Sequence, residues 1–460
     1  MTAPAHTATA GFRRYGRRET GANAGVSPSD GTFARTRRIQ LAVVLLLGAW
    51  WCAAGPLVSL IVAERLPADR MSTGRIAETA LGAQVQSIGL PACVFGCLSI
   101  VLWNLLRDPI RVRPLWPLVA MGFFFASIAF ANLAASGGEV RSGSRIALLL
   151  ALTIWSIQPQ LEDLRLLGIA GMVIVAISLA LLPSGKAWMP AADIVLQEKA
   201  IIGTQLLAGP FGQSNVLGMA LGVTMPFVFL FRRVGTRLAA FGLMGFFLVL
   251  TGSRSTLVGI AGALVIALVM ACVRDRLLSG IIGLLGAGAL LALGMWVPLT
   301  TNDPQAFTQR GSIWMISRAT WGTSTESLLF GQGLGYYGIG GHFALFDHGS
   351  PTYHGHNELV STMTTSGLIS LAAFLTIIGT ALFGSFRFRG RGRRTAFFAI
   401  LVLLGCSIAE TPLRIDAIDS LGWLTWFSLF ATLVAVSGGE AGHEPYVVPG
   451  SRIRSRSASR

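Results

Sequence analysis

Apolar blocks, each about long enough to cross roughly 30 Å of hydrocarbon as a helix, recur along the chain with short polar stretches between them. In lipid every backbone polar group must be satisfied within the protein, which leaves helices or closed barrels. Blocks of this length read as helices. The chain is therefore expected to be all-α, a polytopic integral membrane protein. Its composition agrees: 53% of residues are hydrophobic and 12% charged, against roughly 45–50% and about 25% in soluble domains.

Reading windows of about 20 residues predicts twelve transmembrane helices. They centre on 39–62, 88–106, 115–135, 145–158, 164–183, 212–231, 237–250, 255–273, 277–299, 359–385, 395–409 and 421–437. The fourth, seventh and eleventh are short. Ala53-Ala54-Gly55 resembles a signal-peptide cleavage site, but the apolar run continues past Pro56 to Val62, beyond an h-region of about 7–15 residues. It reads as an uncleaved span.

The charges orient these spans. With the N-terminus inside, 25 of the 36 Lys and Arg residues fall on inner segments and 11 on outer ones, as the positive-inside rule requires. Both termini are then cytoplasmic. The expected organisation is a disordered tail over 1–38, nine spans over 39–299, a large extracytoplasmic loop over 300–358, three spans over 359–437 and a basic tail over 438–460. A second long outer segment covers 184–211.

The formal charge of +15 invites a nucleic-acid reading. The arginines instead sit in short clusters between apolar blocks, with no basic soluble domain to hold a polynucleotide, so nucleic acid is excluded. The five cysteines, Cys52, Cys93, Cys97, Cys272 and Cys406, all fall in apolar blocks and read as small hydrophobes.

The 300–358 loop concentrates the chemistry. Phe307, Arg310, Trp314, Ser317 and Trp321 recur at spacings of three or four, one stripe of a helix. Such a stripe anchors the protein at the interface, or presents a guanidinium fork for phosphate oxygens beside aromatic faces for sugar rings. Gly333-Leu334-Gly335-Tyr336-Tyr337-Gly338 satisfies G-x-G-x-x-G without the βαβ context a dinucleotide needs, and reads as turn glycines. His342, His348, His354 and His356 match no common metal spacing. They stay open as ligands, as solvated loop residues, or as the source of one general base.

Three pieces of this region carry a family resemblance: Arg310-Gly311-Ser312-Ile313-Trp314; Leu328-Leu329-Phe330-Gly331-Gln332-Gly333-Leu334-Gly335; and His356-Asn357-Glu358-Leu359 followed by Gly367-Leu368-Ile369. With Gly212-Gln213-Ser214-Asn215 and Thr251-Gly252-Ser253-Arg254-Ser255 upstream, residues 205–385 resemble the O-antigen ligase and O-antigen polymerase superfamily. Ser370 stands where the ligase form of the last motif has glycine, so ligase and polymerase both stay open.

The resemblance implies a metal-independent glycosyltransferase with a GT-C-like fold and no cofactor, working in cell-envelope biogenesis. It would move a glycan from an undecaprenyl-diphosphate carrier to a glycan, lipid or protein acceptor at the outer face of the plasma membrane. Carried over by motif, His356 is the candidate catalytic base, and Arg254 and Arg310 are candidate ligands of the diphosphate. Asn215, Trp314 and Arg318 are further candidate substrate-binding residues. Arg414 either joins these cations or pairs with Glu410. Asn357 either orients the imidazole or caps the following helix. The rival reading is a multi-span transporter or flippase of an envelope precursor. Transporters carry polar groups at mid-membrane, whereas charges here sit at span ends, with polar exceptions such as Asn132.

Overall fold

A computed structural model of the chain describes residues 28–65, 76–107, 114–136, 142–189, 199–337, 343, 354–390, 392–414 and 420–438. From Arg37 onward the described residues form one compact unit, which holds the helical bundle.

Among the described residues the protein is helical, with two isolated β-bridges. Helix α1 (Pro28–Ala49) passes through a π turn, Trp50–Ala54, into α2 (Gly55–Val62). Next along the chain are α3 (Ala80–Arg107), α4 (Trp116–Ser136), α5 (Ser142–Ile157), α6 (Arg165–Leu181), α7 (Ser214–Thr224), α8 (Val234–Leu250), α9 (Arg254–Cys272) and α10 (Arg276–Thr300). The long loop contributes α11 (Ala306–Trp321) and α12 (Thr325–Phe330), and the chain then forms α13 (Glu358–Arg387), α14 (Arg393–Ser407) and α15 (Ser420–Ser437).

Every window read from hydropathy contains a helix. Seven helical segments are long and apolar enough to cross a membrane, consistent with an α-helical membrane protein. Arg145–Ile157, Ser214–Leu230, Val234–Leu250 and Leu421–Ser437 are apolar but shorter, and α14 has 15 residues. Two boundaries differ from expectation. Helix α1 begins at Pro28, inside the segment expected to be a disordered tail; of that tail, residues 1–27 lie outside the described residues. Helix α3 begins at Ala80, eight residues early, because polar Gln84, Gln86 and Ser87 lowered the apolar signal of its first turns.

Helices α13 to α15 form the centre. From Thr395 to Ser407 every residue of α14 is buried, the mark of a helix covered on all sides. Phe124 and Phe125 of α4, Phe374 of α13 and Trp426 and Phe430 of α15 pack on one another, with Trp426 and Phe430 stacked at 4.9 Å. Outer helices instead point bulky apolar side chains away from the protein: Phe95, Val258 and Leu285 are 70%, 73% and 69% exposed. Faces like these in water would associate; against acyl chains they are the expected surface.

Contacts sort the helix ends into two groups. At one end Arg37 and Arg38 pair with buried Asp163 at 3.2 and 2.7 Å, near the start of α6. At the other, Arg65 donates to the carbonyls of Lys186, Gly209 and Phe211.

Two close approaches place the functional region. A Cβ on Gly259 of α9 would lie 2.5 Å from the Gly405 backbone of α14, and one on Gly405 would lie 2.4 Å from the Gly259 carbonyl. Small residues let helix backbones meet in this way, which draws the first turn of α9 to the end of α14. The second approach is a break in α13 at Gly367, where φ is 72°. The amides of Gln332 and Gly333 fill it, donating to Thr364 and Thr365 carbonyls at 2.7 and 3.0 Å. A Cβ on Gly367 would stand 2.2 Å from the Leu329 carbonyl. The Leu328–Gly335 and Gly367–Ile369 motif pieces are thus one docked structure. Asn132 of α4 holds it from the other side by accepting the Leu334 amide at 3.2 Å. The carbonyls freed at the break gain partners from the loop, and Gly331 and Gly333, with φ of 75° and 84°, provide its turns.

Candidate functional site

Glu410 lies three residues beyond α14 and is 2% exposed. Four chain segments deliver side chains to it. Arg310 of α11 pairs with Oε1 through Nη2 at 2.5 Å, and its Nη1 donates to the Ala409 carbonyl. Asn215 of α7 donates to Oε1 at 3.2 Å, and Ser255 of α9 donates to the same oxygen at 3.0 Å. Nδ1 of His356 faces Oε2 at 3.7 Å.

The local chain explains how each arrives. Gly252, with φ of 62°, turns the backbone so that Arg254 opens α9, and Ser255 follows on the face toward Glu410. Arg254 is exposed at that helix start. Asn357 settles into the cap: its Oδ1 accepts the Val360 amide at 2.8 Å while Nδ2 donates to the carbonyls of Gly294 and Ile408, both at 2.8 Å. Its orienting role is therefore on the backbone, and it ties α13, α10 and the end of α14 together. Glu358 adds a further tie by accepting the Leu413 amide at 2.9 Å.

His356 sits in a strained backbone. Its φ is 49°, and Arg414, on the segment after Glu410, has φ of 45°. Left-handed conformations are uncommon outside glycine and cost of order 1–3 kcal/mol where the surroundings impose them. Here Trp314 supplies part of the constraint, donating from Nε1 to the Gly355 carbonyl at 2.9 Å. The rings of His354 and His356 lie 4.1 Å apart.

Electrostatics follow from burial and neighbours. Burial works against the Glu410 carboxylate, but the Arg310 charge and adjacent His356 outweigh it and hold its pKa well below the usual carboxylate range. Burial lowers the pKa of His356; Glu410 pulls it up, while Arg310 and Arg414 push it down, and the net direction is down. His354 is lowered further, by burial and then by His356. Both imidazoles are neutral near pH 7, and both feel the Arg414 charge.

Thus His356, Arg310 and Asn215 converge, with Arg254 one residue from the contact and Arg414 in electrostatic reach. Two expected substrate ligands lie elsewhere. Trp314 is fully buried, with its ring 5.2 Å from Phe307, so its face meets protein and not a sugar. Arg318 clamps the end of α10, donating to the Leu299 and Thr301 carbonyls and to Asn302. On the predicted stripe only Arg310 faces the cluster; Ser317 bonds Tyr337 at 2.7 Å and Trp321 the Leu328 carbonyl at 3.1 Å. His342 and His348 lie outside the described residues, and among those described no group of three or more His, Cys, Asp or Glu converges as for a metal.

The hub itself, Glu410, was not among the expected site residues, nor was Ser255. The signal was present: an acid at the edge of an apolar block is expensive unless it is paired. No family model matches the chain, and no curated protein matches it in sequence.

Proposed function

We propose that the chain is a membrane glycosyltransferase that passes a glycan from a lipid diphosphate carrier of the undecaprenyl type to an acceptor hydroxyl. The twelve-span topology, a GT-C-like architecture, cytoplasmic termini and action at the outer face of the plasma membrane belong to the same reading. The observation that carries it is the convergence on Glu410 of His356, Arg310, Ser255 and Asn215 at one end of the helices. A lipid-linked diphosphate at the membrane surface would meet groups held at the helix ends.

The chemistry needs a base for the acceptor and cations for the leaving group. With Glu410 anionic, the His356 proton belongs on Nδ1, leaving Nε2 to accept one. The acceptor O–H gives its proton to Nε2 while its oxygen bonds to the anomeric carbon. The bond from that carbon to the diphosphate breaks, and the diphosphate leaves with the electron pair. Arg254, Arg310 and Arg414 are the cations available to meet that charge. Glu410 then holds the imidazolium that forms.

A broken helix such as α13 is also a transporter feature. In this protein the Gln332 and Gly333 amides occupy the break, which favours a structural use.

The test is reconstitution of the purified protein in vesicles with a lipid-diphosphate-linked glycan and a hydroxyl acceptor. Formation of a new glycosidic bond with release of the lipid diphosphate is the expected result. Movement of the lipid-linked glycan across the bilayer without bond formation would overturn the reading in favour of a flippase.

A further inference from the structure

The end of the helical bundle away from Glu410 holds a cavity of about 1110 Å³. Helix α13 begins beside His356 and ends at this cavity with Arg387; α14 begins in it with Arg393 and ends near Glu410. The cavity is separate from the Glu410 cluster, and its chemistry is independent of the transferase reading.

Among the described residues four arginines line it, Arg276, Arg387, Arg389 and Arg393, against one acid, Asp275. Asp275 is engaged as a helix cap, accepting the Leu278 amide at 2.7 Å. Arg276 donates to the Arg387 and Phe388 carbonyls at 3.3 and 2.6 Å. Arg393 is different. It is 9% exposed, and its Nε and Nη2 are buried without a hydrogen-bond partner among the described residues. Its guanidinium lies 5.8 and 5.7 Å from the Phe386 and Phe397 ring centroids, and a Cβ on Gly280 would stand 2.2 Å from Nη2. A glycine on α10 thus leaves room for a buried planar fork whose donors are unmet, an arrangement costly unless an acceptor completes it. Planar guanidinium groups match phosphate oxygens.

The rim supplies the second half of the argument. Trp116, Phe383 and Leu277 line the same cavity and are 43%, 56% and 61% exposed. An occupant must therefore satisfy the buried Arg393, the exposed arginines and exposed apolar surface together. The volume exceeds the roughly 300–1,000 Å³ of a drug-sized pocket, far more than a lone phosphate fills. We infer that this cavity binds the headgroup of an anionic phospholipid, with the phosphate on Arg393 and Arg387 and the acyl chains leaving past Trp116 and Phe383.

Native mass spectrometry of the full-length protein in detergent tests this with phosphatidylglycerol, phosphatidylcholine and inorganic phosphate as probes. The parent should retain phosphatidylglycerol in preference to phosphatidylcholine. Arg393→Gln and Arg387→Gln should each weaken that retention about fivefold, the effect of one juxtamembrane cation. Quenching of Trp fluorescence by bromine-labelled phosphatidylglycerol should exceed that in Trp116→Phe, and the difference should vanish in Arg387→Gln. If Arg393→Gln is not monodisperse, exposed Arg387 and Arg389, each changed to Gln, carry the test. Equal retention of the two lipids, or retention unchanged in the arginine variants, overturns the inference. So does saturable binding of inorganic phosphate that excludes the lipid, which would assign the cavity to a soluble anion.

Discussion

Arg310 and Glu410, 100 residues apart in the chain, form an ion pair at 2.5 Å that joins the long loop to the end of α14. Glu410 is 2% exposed and the Arg310 side chain 14%, so the pair is largely shielded from solvent. Removing one partner of such a pair costs about 3–5 kcal/mol, chiefly because the other charge is left buried alone. Thermal unfolding in detergent should therefore show Arg310→Gln and Glu410→Gln each strongly destabilised. The double variant should be no worse than either single change. Additive losses would mean that the two residues act independently.

Glu410 also raises the His356 pKa, against burial and the charges of Arg310 and Arg414. The net shift is downward, so the proton is lost below the ordinary His value of about 6.5. Transfer should rise with pH through an ionisation below that value and be flat near pH 7. In Glu410→Gln the one upward influence goes, and the acid limb should move to still lower pH. A limb that moved upward would contradict the arrangement of charges.

His356→Ala should lose at least two orders of magnitude in transfer, since general base catalysis contributes roughly 10²–10⁴, while retaining the lipid-linked donor. His354→Ala should lose much less, because His354 touches the site through the His356 ring and backbone amide. EDTA should leave transfer intact. Loss on chelation with rescue by a divalent ion would return the histidines to a metal role.

Lys should substitute poorly for Arg254 and Arg310, keeping charge but losing the planar fork. The two variants separate in stability. Arg310→Lys disturbs the bonds to Ala409 and Glu410 and should lower the unfolding temperature, whereas Arg254 is exposed and its change to Lys or Gln should spare stability while reducing transfer about 10²–10³-fold. Parental rates in Arg254→Gln would remove it from the site.

Legibility in the sequence depends on the range of each signal. Apolar periodicity reports a helix's own surroundings, so α4, α9, α10 and α13 were legible close to their ends. The stripe through Arg310 and Trp314 correctly gave a helix but not which of its residues meets a ligand. Trp314 turns inward because Gly355 offers its indole an acceptor, a contact 41 residues away that no local pattern encodes. Glu410 carried a local signal, an acid at the edge of an apolar block, but nothing local named its partners. Its partners come from α7, α9, α11 and the turn before α13, and the Gly259–Gly405 contact that brings α9 to the helix leading to Glu410 is visible only once the helices cross.

That crossing is itself testable. A methyl on Gly405 would meet the Gly259 carbonyl at 2.4 Å, a clash with backbone that no rotamer change relieves. Gly405→Ala should separate α9 from α14 and draw Ser255 off Glu410. Overpacking of this kind costs typically 1–3 kcal/mol. Transfer should fall with stability. By contrast Gly262→Ala, where the nearest atom is 4.0 Å away, should leave both near parental. Equal tolerance at the two positions would show that the close crossing is not needed.

Orientation decides whether the Glu410 cluster meets the outer leaflet. The native thiols provide an internal control: Cys272 at the end of α9 is exposed, whereas Cys52, Cys93, Cys97 and Cys406 are buried. Thr323, between α11 and α12, is exposed and belongs to the loop expected outside. The expected topology puts 25 of the 36 cations on the opposite side, the side expected for Cys272. In intact spheroplasts an impermeant maleimide should therefore label Thr323→Cys and spare the parent, and permeabilisation should add labelling at Cys272. Labelling of Cys272 from outside, with Thr323→Cys protected until permeabilisation, would invert the topology. The cluster around Glu410 would then face the cytoplasm, and an outer-leaflet transferase would no longer be tenable.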